Sequence, residues 1–498
     1  MKLRTMLGLS SALCLGVAAL QAQETDQANQ IRQLQQQLRQ LQETIEQAEQ
    51  QHRQQLEALR KQMEALQKTQ TRPAPVPLPT GPEPASPASS APSAAPPAAV
   101  VEKKGWSPAA PIQIGGGRAY MNMGLVGTFA GGGSTASDIE GGTQLGGHDP
   151  NQRGFTVQGI EANFAGAVDP YFRGNANVVF QIDSGGKSFL ELEEAWLETI
   201  SLPANLQVRA GQFLTDFGRI NTQHPHAWAF VDAPLVSGRF LGPDGLRNPG
   251  ARLSWLAPTP FYSELFLAVQ NSQGETACNF RNDNGGEPLF GRPISQDRVK
   301  SLGDLLFVPR FAASFDLSAA QTVLAGASAA FGPNGSGVGT DTQIYGVDLF
   351  WKWKPPMHHG GFPFVSWQTE AMLGRYGAGA TLDGSYNPGG GGVYLPRERM
   401  TDWGLYSQVA WGFRKDWVAA FRGDYVARGG MADYEQILGD DPDRLPRWRL
   451  SPNLTWYPSE FSKVRLQYNY DNREKIGVDH SVWLQFEFSL GAHAAHKF

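Results

Sequence analysis

Apolar and polar side chains alternate with a period of two along residues 480–498, HSVWLQFEFSLGAHAAHKF. In an extended strand Val482, Leu484, Phe486, Phe488 and Leu490 share one face, and Ser481, Trp483, Gln485, Glu487 and Ser489 the other. The same period recurs upstream. Phe172, Ala176, Val178, Phe180 and Ile182 oppose Arg173, Asn175, Asn177, Gln181 and Asp183; Leu206, Val208, Ala210 and Leu214 oppose Gln207 and Arg209. Tyr345, Val347, Leu349, Trp351 and Trp353 oppose Asp348 and Lys352, and Trp403, Leu405, Val409, Trp411 and Phe413 oppose Asp402 and Gln408. Val464, Leu466, Tyr468 and Tyr470 oppose Lys463, Arg465, Gln467 and Asn469. From about residue 106 onward the chain predicts short antiparallel strands joined by Gly, Asn, Asp and Pro turns.

Two architectures accept this pattern, a soluble β-sandwich and a transmembrane β-barrel. In the sandwich the apolar face is the core, and aromatic residues at strand ends carry no special meaning. Here aromatics gather toward strand ends, at Trp351 and Trp353, Trp411 and Trp417, Trp456 and Tyr457, and Tyr468 and Tyr470, as an interfacial girdle requires. Tight connections at 414–416 and 458–460 alternate with long Gly-rich ones at 131–147 and 271–296, matching short periplasmic turns and long external loops. The expected fold is an all-β transmembrane barrel over 112–498, in which roughly 390 residues give about 16 antiparallel strands. One segment breaks the alternation. Residues 189–199, FLELEEAWLET, place acids on both faces and predict either a bulge or a lumen-facing constriction. The chain stops on Phe498; Gram-negative barrels commonly close on such an aromatic, which the barrel-assembly machinery reads, so Phe498 is the expected assembly signal.

The first 111 residues read differently. Residues 1–22 carry Lys2 and Arg4, an apolar run and small residues near Ala22, the layout of a signal peptide. Within 23–70, Ile31, Leu34, Leu38, Leu41, Ile45 and Ala48 form a coiled-coil seam that restarts as Leu56, Leu59, Met63 and Leu66. Residues 71–111 are a Pro/Ala-rich linker. The expectation is a periplasmic coiled coil on a semi-rigid tether, pairing with copies of itself as a homotrimer or contacting the cell wall.

Composition removes other classes. After the first two dozen residues there is no apolar run of the ~18 residues a spanning helix needs, a test that barrels escape. The formal net charge of −5 argues against nucleic acid as a partner. Of two cysteines, Cys14 falls in the leader, so Cys278 is left without an intrachain partner. No nucleophile, base and oxyanion grouping is legible, and the expectation is that the protein is not an enzyme.

The residues Ala210-Gly211-Gln212-Phe213 with Phe217-Gly218 resemble the conserved hairpin of the phosphate-selective porin O/P family. Residues 221–235 (NTQHPHAWAFVDAPL), 240–256 and the tail 491–498 resemble a related group labelled zinc-regulated or TonB-dependent outer-membrane receptors. The resemblance covers most of 154–498 and implies an outer-membrane barrel in contact with lipid. The label also implies energised uptake, which needs a globular plug, and the coiled coil and linker ahead of the barrel cannot fold into one. The function expected is a porin-like channel for passive diffusion of small hydrophilic solutes or ions. The alternatives are a zinc-related outer-membrane receptor or an envelope tether acting through the coiled coil.

Candidate pore-lining charges on polar faces are Arg173, Asp183, Glu191, Glu193, Arg209, Asp348, Arg422, Asp424, Lys463 and Arg465, a mixture of signs that predicts weak selectivity. His224 and His226 share a face in extended chain and are candidate zinc ligands; a structural role for them at a strand end is the alternative.

Overall fold

A computed structural model describes residues 112–116, 119–282, 287–383 and 392–491. The leader, the coiled coil, the linker and Phe498 lie outside the described residues. Sixteen antiparallel strands close into a barrel. In chain order they are β1 (Ala119–Ser134), β2 (Gly154–Ala167), β3 (Phe172–Ile182), β4 (Ser188–Thr199), β5 (Leu206–Leu214) and β6 (Arg247–Leu256). There follow β7 (Tyr262–Asn271), β8 (Leu305–Ser318), β9 (Gln321–Pro333), β10 (Asp341–Trp353) and β11 (Phe364–Ala378). The last are β12 (Glu398–Arg414), β13 (Trp417–Arg428), β14 (Arg447–Ser459), β15 (Ser462–Arg473) and β16 (Gly477–Gly491).

Each strand pairs with its chain neighbours, and closure is made by β16 on β1, from Ser481↔Ser134 to Gly491↔Gly124. On its other side β16 pairs with β15, setting Phe486 opposite Val464. A short leading strand, Ile112–Gly116, continues the β1 ladder just beyond, from Ile112↔Met123 to Gly116↔Ala119. Closure leaves no free edge in the wall.

The side chains sort as a membrane barrel demands. On β16, Val482, Leu484 and Phe486 are each about half exposed on the outside (49%, 52% and 48%), while Trp483, Gln485 and Glu487 are buried inside. Leu405, Val409, Phe413, Phe421 and Leu454 continue this apolar exterior. A soluble protein would bury that band; here lipid covers it. Aromatics mark both rims. Trp417 stacks on Trp456 near the short turn 415–416, and Trp403 and Trp448 pack against Tyr425 and Tyr470 toward the opposite rim. Both described chain ends lie at the rim of short connections, which include 168–171, 319–320 and 460–461. The long connections 135–153, 215–246, 272–304, 379–397 and 429–446 all leave the other rim.

Three expectations need adjustment. The glycines 131–133 belong to β1 rather than to a loop. A Cβ at Gly132 would lie 2.0 Å from the Val482 carbonyl oxygen and 2.7 Å from the Trp483 ring, so glycine lets the seam close beneath the indole. Leu214 is buried rather than on the outer row. The strand bends at Gly211, whose φ of +130° and approach to the Ala195 carbonyl suit only glycine. Asp183 stands past the end of β3, where it accepts the Lys187 amide at 2.8 Å in the turn 183–187 and borders the lumen cavity from there instead of from the strand. Of the two readings of the irregular segment 189–199, the bulge is the one observed. The β3–β4 register shifts between Asn177 and Val178, and the bulge turns Glu193 and Glu194 inward together.

Candidate functional site

The connection 215–246 does not stay outside; it folds across the lumen. Its apolar residues Phe217, Ile220, Leu235, Val236, Phe240 and Leu246 pack against inward side chains of the wall, among them Phe213, Leu306, Ile344, Met372 and Val426. Two lumen-facing glycines make this contact possible. A Cβ at Gly346 would lie 2.8 Å from the Phe217 ring, and one at Gly374 would lie 2.6 Å from the Phe240 ring. Pro225 and Pro234 set the start of a one-turn helix, Pro225–Ala227, and of α1 (Leu235–Leu241), so the segment is compact and not an extended strap.

A backbone taken into a barrel must find partners for its polar groups, and the wall supplies them. On one side the Glu370 carboxylate accepts the amides of Arg219 (3.1 Å) and Ile220 (2.8 Å) and the Tyr406 hydroxyl (2.6 Å). On the opposite side Lys463 Nζ donates to the His226 carbonyl (2.5 Å), Arg465 to that of Trp228 (3.0 Å) and Asn453 to that of Ala229 (2.9 Å). The Val231 amide donates to Gln467 (2.9 Å), and the Leu235 amide to Asp424 (3.1 Å).

Asp232 is the centre of this second anchor. Its carboxylate meets Arg422 at 2.7 Å and Arg449 at 3.2 Å and accepts from Gln467 (2.9 Å) and Asn469 (2.7 Å). Burial opposes ionisation of Asp232, but the Arg422 and Arg449 guanidiniums override it and hold the carboxyl below its usual range. Nearby, Asp149 accepts the amides of Gly146 and Ala233, both at 2.8 Å. Burial, and then the Asp232 charge, push Asp149 up to about 7.

The third anchor holds both candidate metal ligands. His224 Nδ1 lies 2.8 Å from Glu193 and 3.6 Å from Glu161, and its Nε2 lies 3.3 Å from Glu194. His226 Nδ1 lies 2.9 Å from the other Glu161 oxygen, and the two imidazoles stack 5.7 Å apart. Burial would lower the His224 pKa; Glu161 and Glu193 override it and set it well above the ordinary histidine range.

The structure brings together most of the candidate pore-lining charges, but as pairs. Arg422 also binds Asp424 (2.8 Å), Lys463 binds Glu487 (2.8 Å), Arg465 reaches Gln485 (2.9 Å) and Asp348 forks with Arg310 (2.6 and 3.0 Å). Arg173 and Arg209 share the Glu198 carboxylate with Arg252, and Glu191 binds Arg247. Arg449, Asp471 and Glu161 continue the strand alternation and could have been found by extending it. Asp232, on an aperiodic loop, carried no such signal. Toward the rim of long loops the lumen opens into a cavity of about 1020 Å³ bordered by Asp138, Glu191, Asp244, Asp402, Arg447 and Arg473.

No family model matches the chain. Among solved structures the barrel is similar to the outer membrane channel DcaP of Acinetobacter baumannii, at 12% identity over 75% of this chain and 98% of that one, TM-score 0.48. It is also similar to Salmonella typhi OmpF, at 10% identity over 76% and 100%, TM-score 0.44. Against Pseudomonas putida OprB the identity is 12% over 75% and 94%, TM-score 0.40. In sequence, an uncharacterized protein of Aquifex aeolicus (strain VF5) is 32% identical over 378 residues, spanning 71% of this chain and 73% of that protein. At that identity and coverage the chain belongs to one family with the Aquifex aeolicus protein.

Proposed function

We propose that the protein is an outer-membrane channel for passive diffusion of small hydrophilic solutes or ions, with the segment 215–246 as its constriction. The observation that carries this reading is a closed barrel, apolar outside and charged inside, crossed, among the described residues, by its own loop. Such a segment narrows the route to the space it leaves along the charged wall. The lumen charges named above are matched by opposite charges or hydrogen bonds, which favours size over charge as the filter. The resemblance to phosphate-selective porins therefore does not extend here to an anion preference, and no catalytic role is assigned to these pairs. In this reading the coiled coil lies in the periplasm and gathers barrels into a homotrimer.

Conductance of the purified full-length protein in planar bilayers tests it. A variant in which 219–233 is replaced by a short Gly/Ser linker should conduct severalfold more than the parent. A parent and a variant that are both silent would remove the channel reading and favour a tether.

A further inference from the structure

Most of the inward charges serve as struts between Arg or Lys and a carboxylate, but where the crossing segment meets β2 and β4 the carboxylates gather around histidines. The Glu161, Glu193 and Glu194 carboxylates face two imidazoles, His224 and His226. Of the fixed cations beside it, Arg247 pairs with both Glu191 and, at 3.7 Å, Glu193, and Lys463 binds Glu487. Glu161 Oε, Glu193 Oε and His224 N can each offer one donor atom, all within 4.8 Å of one another. Asn177 Nδ2 donates to Glu161 at 2.6 Å and flanks the His224 ring at 3.1 to 3.2 Å.

Two further features lie beside the cluster. His148 Nε2 is buried, has no hydrogen-bond partner, and lies between the second Glu193 oxygen at 3.9 Å and Asp244 at 4.0 Å; the residue is 6% exposed. Leaving a buried ring nitrogen without a partner is unfavourable, and a cation beside Glu193 would give it one. A void of about 20 Å³, room for about one water or one bare ion, adjoins the cluster at Glu161, His148 and His226, while Glu193 and His224 do not border it.

We propose that Glu161, Glu193 and His224 bind a divalent transition cation of the zinc type, with Glu194 and His226 orienting the ligands. The donor chemistry selects the ion. Imidazole nitrogen mixed with carboxylate oxygen suits zinc and its neighbours, whereas calcium and magnesium favour sites of oxygen alone. The outer contacts are those a metal-bound histidine uses. Glu194 accepts from Nε2 and fixes the tautomer that leaves the Nδ1 lone pair toward Glu161 and Glu193, and His226 holds the far oxygen of Glu161. An ion seated there cross-links the crossing segment to β2 and β4. Binding does not depend on the channel reading; only its effect on current does.

The test is a titration of chelator-stripped, untagged full-length protein in detergent, with ZnCl2 followed by calorimetry and CoCl2 by visible absorption. The expected result is one saturable site whose bound Co²⁺ gives a d–d spectrum with a histidine ligand. His224→Asn and Glu193→Gln should each weaken binding at least about tenfold, and Glu194→Gln by about 10–100-fold, while His493→Ala/His496→Ala leaves it unchanged. Each variant is first checked for a folded barrel by its heat-modifiable migration, and Glu161→Gln serves if a histidine variant does not fold. No saturable Zn²⁺ binding up to about 1 mM, or binding that survives in folded His224→Asn and Glu161→Gln, overturns the proposal. Silence in metal-free bilayers would instead count against the channel and leave the titration standing.

Discussion

Asp232 Oδ1 and Arg422 Nη2 lie 2.7 Å apart, with 0% and 1% of their side chains exposed, joining the crossing segment to β13 in the barrel interior. Removing one partner of a buried pair is far costlier than the pair's net worth, because the other charge stays behind. Arg422 keeps Asp424, and Arg449 keeps Asp471. Asp232→Ala is therefore expected to destabilise at or below the low end of ~3–5 kcal/mol, read by urea unfolding in detergent. The same variant should show larger and noisier single-channel currents. Unchanged currents would mean that this anchor does not hold the barrier.

Gly218 tests the opposite anchor. Its φ is +60°, and a Cβ there would lie 2.1 Å from Glu370 Oε2. Gly218→Ala should cost about 1–3 kcal/mol and expose the segment to protease. Gly430, with open space around it, is the control; Gly430→Ala should stay within about 0.5 kcal/mol. Equal effects at both positions would remove the steric account.

The outer face makes a prediction of a different kind. Leu484 is 52% exposed and sits in the middle of β16. Leu484→Arg is expected to cost about 2–4 kcal/mol in a bilayer, measured by reversible unfolding in liposomes. A soluble sandwich would tolerate arginine at an exposed site.

Asp149 gives the pH dependence. Its pKa is raised from the ordinary carboxylate range to about 7, first by burial and then by Asp232. A raised folded-state pKa means stability present in acid and lost as pH rises through it. Protection of the Gly146 and Ala233 amides from hydrogen exchange should therefore decline from about pH 4 to about pH 7 and level off above that. Asp149→Asn should flatten that decline; an unaltered slope would assign it to another group.

How much of this was legible beforehand follows from where period two operates. Strand pairing, closure of β16 on β1 and the inward side of Lys463, Arg465 and Asp348 all follow from alternation, because a strand has only two faces. The double acid at Glu193 and Glu194 was visible as a violation, and its resolution as a bulge needed the partner strand. The segment 215–246 shows no strand alternation and stood out in the sequence only through the family resemblance of 221–235. Loops carry no periodicity, so neither its inward fold nor the bond between Asp232 and Arg422, 190 residues apart, has a local signature. The glycines at 346 and 374 were a faint trace, since they stand where lumen-facing side chains are missing.

The leading strand has one more consequence. Ile112 pairs with Met123 and Gly491 with Gly124, so the two ends of the described wall abut at consecutive residues of β1. Connectivity around the barrel is then almost circular. A permuted chain, opened at 415–416 and joined across the old ends, would keep every strand next to its present neighbours. Order of synthesis and order in the wall are separable here, and assembly can be asked which of the two it depends on.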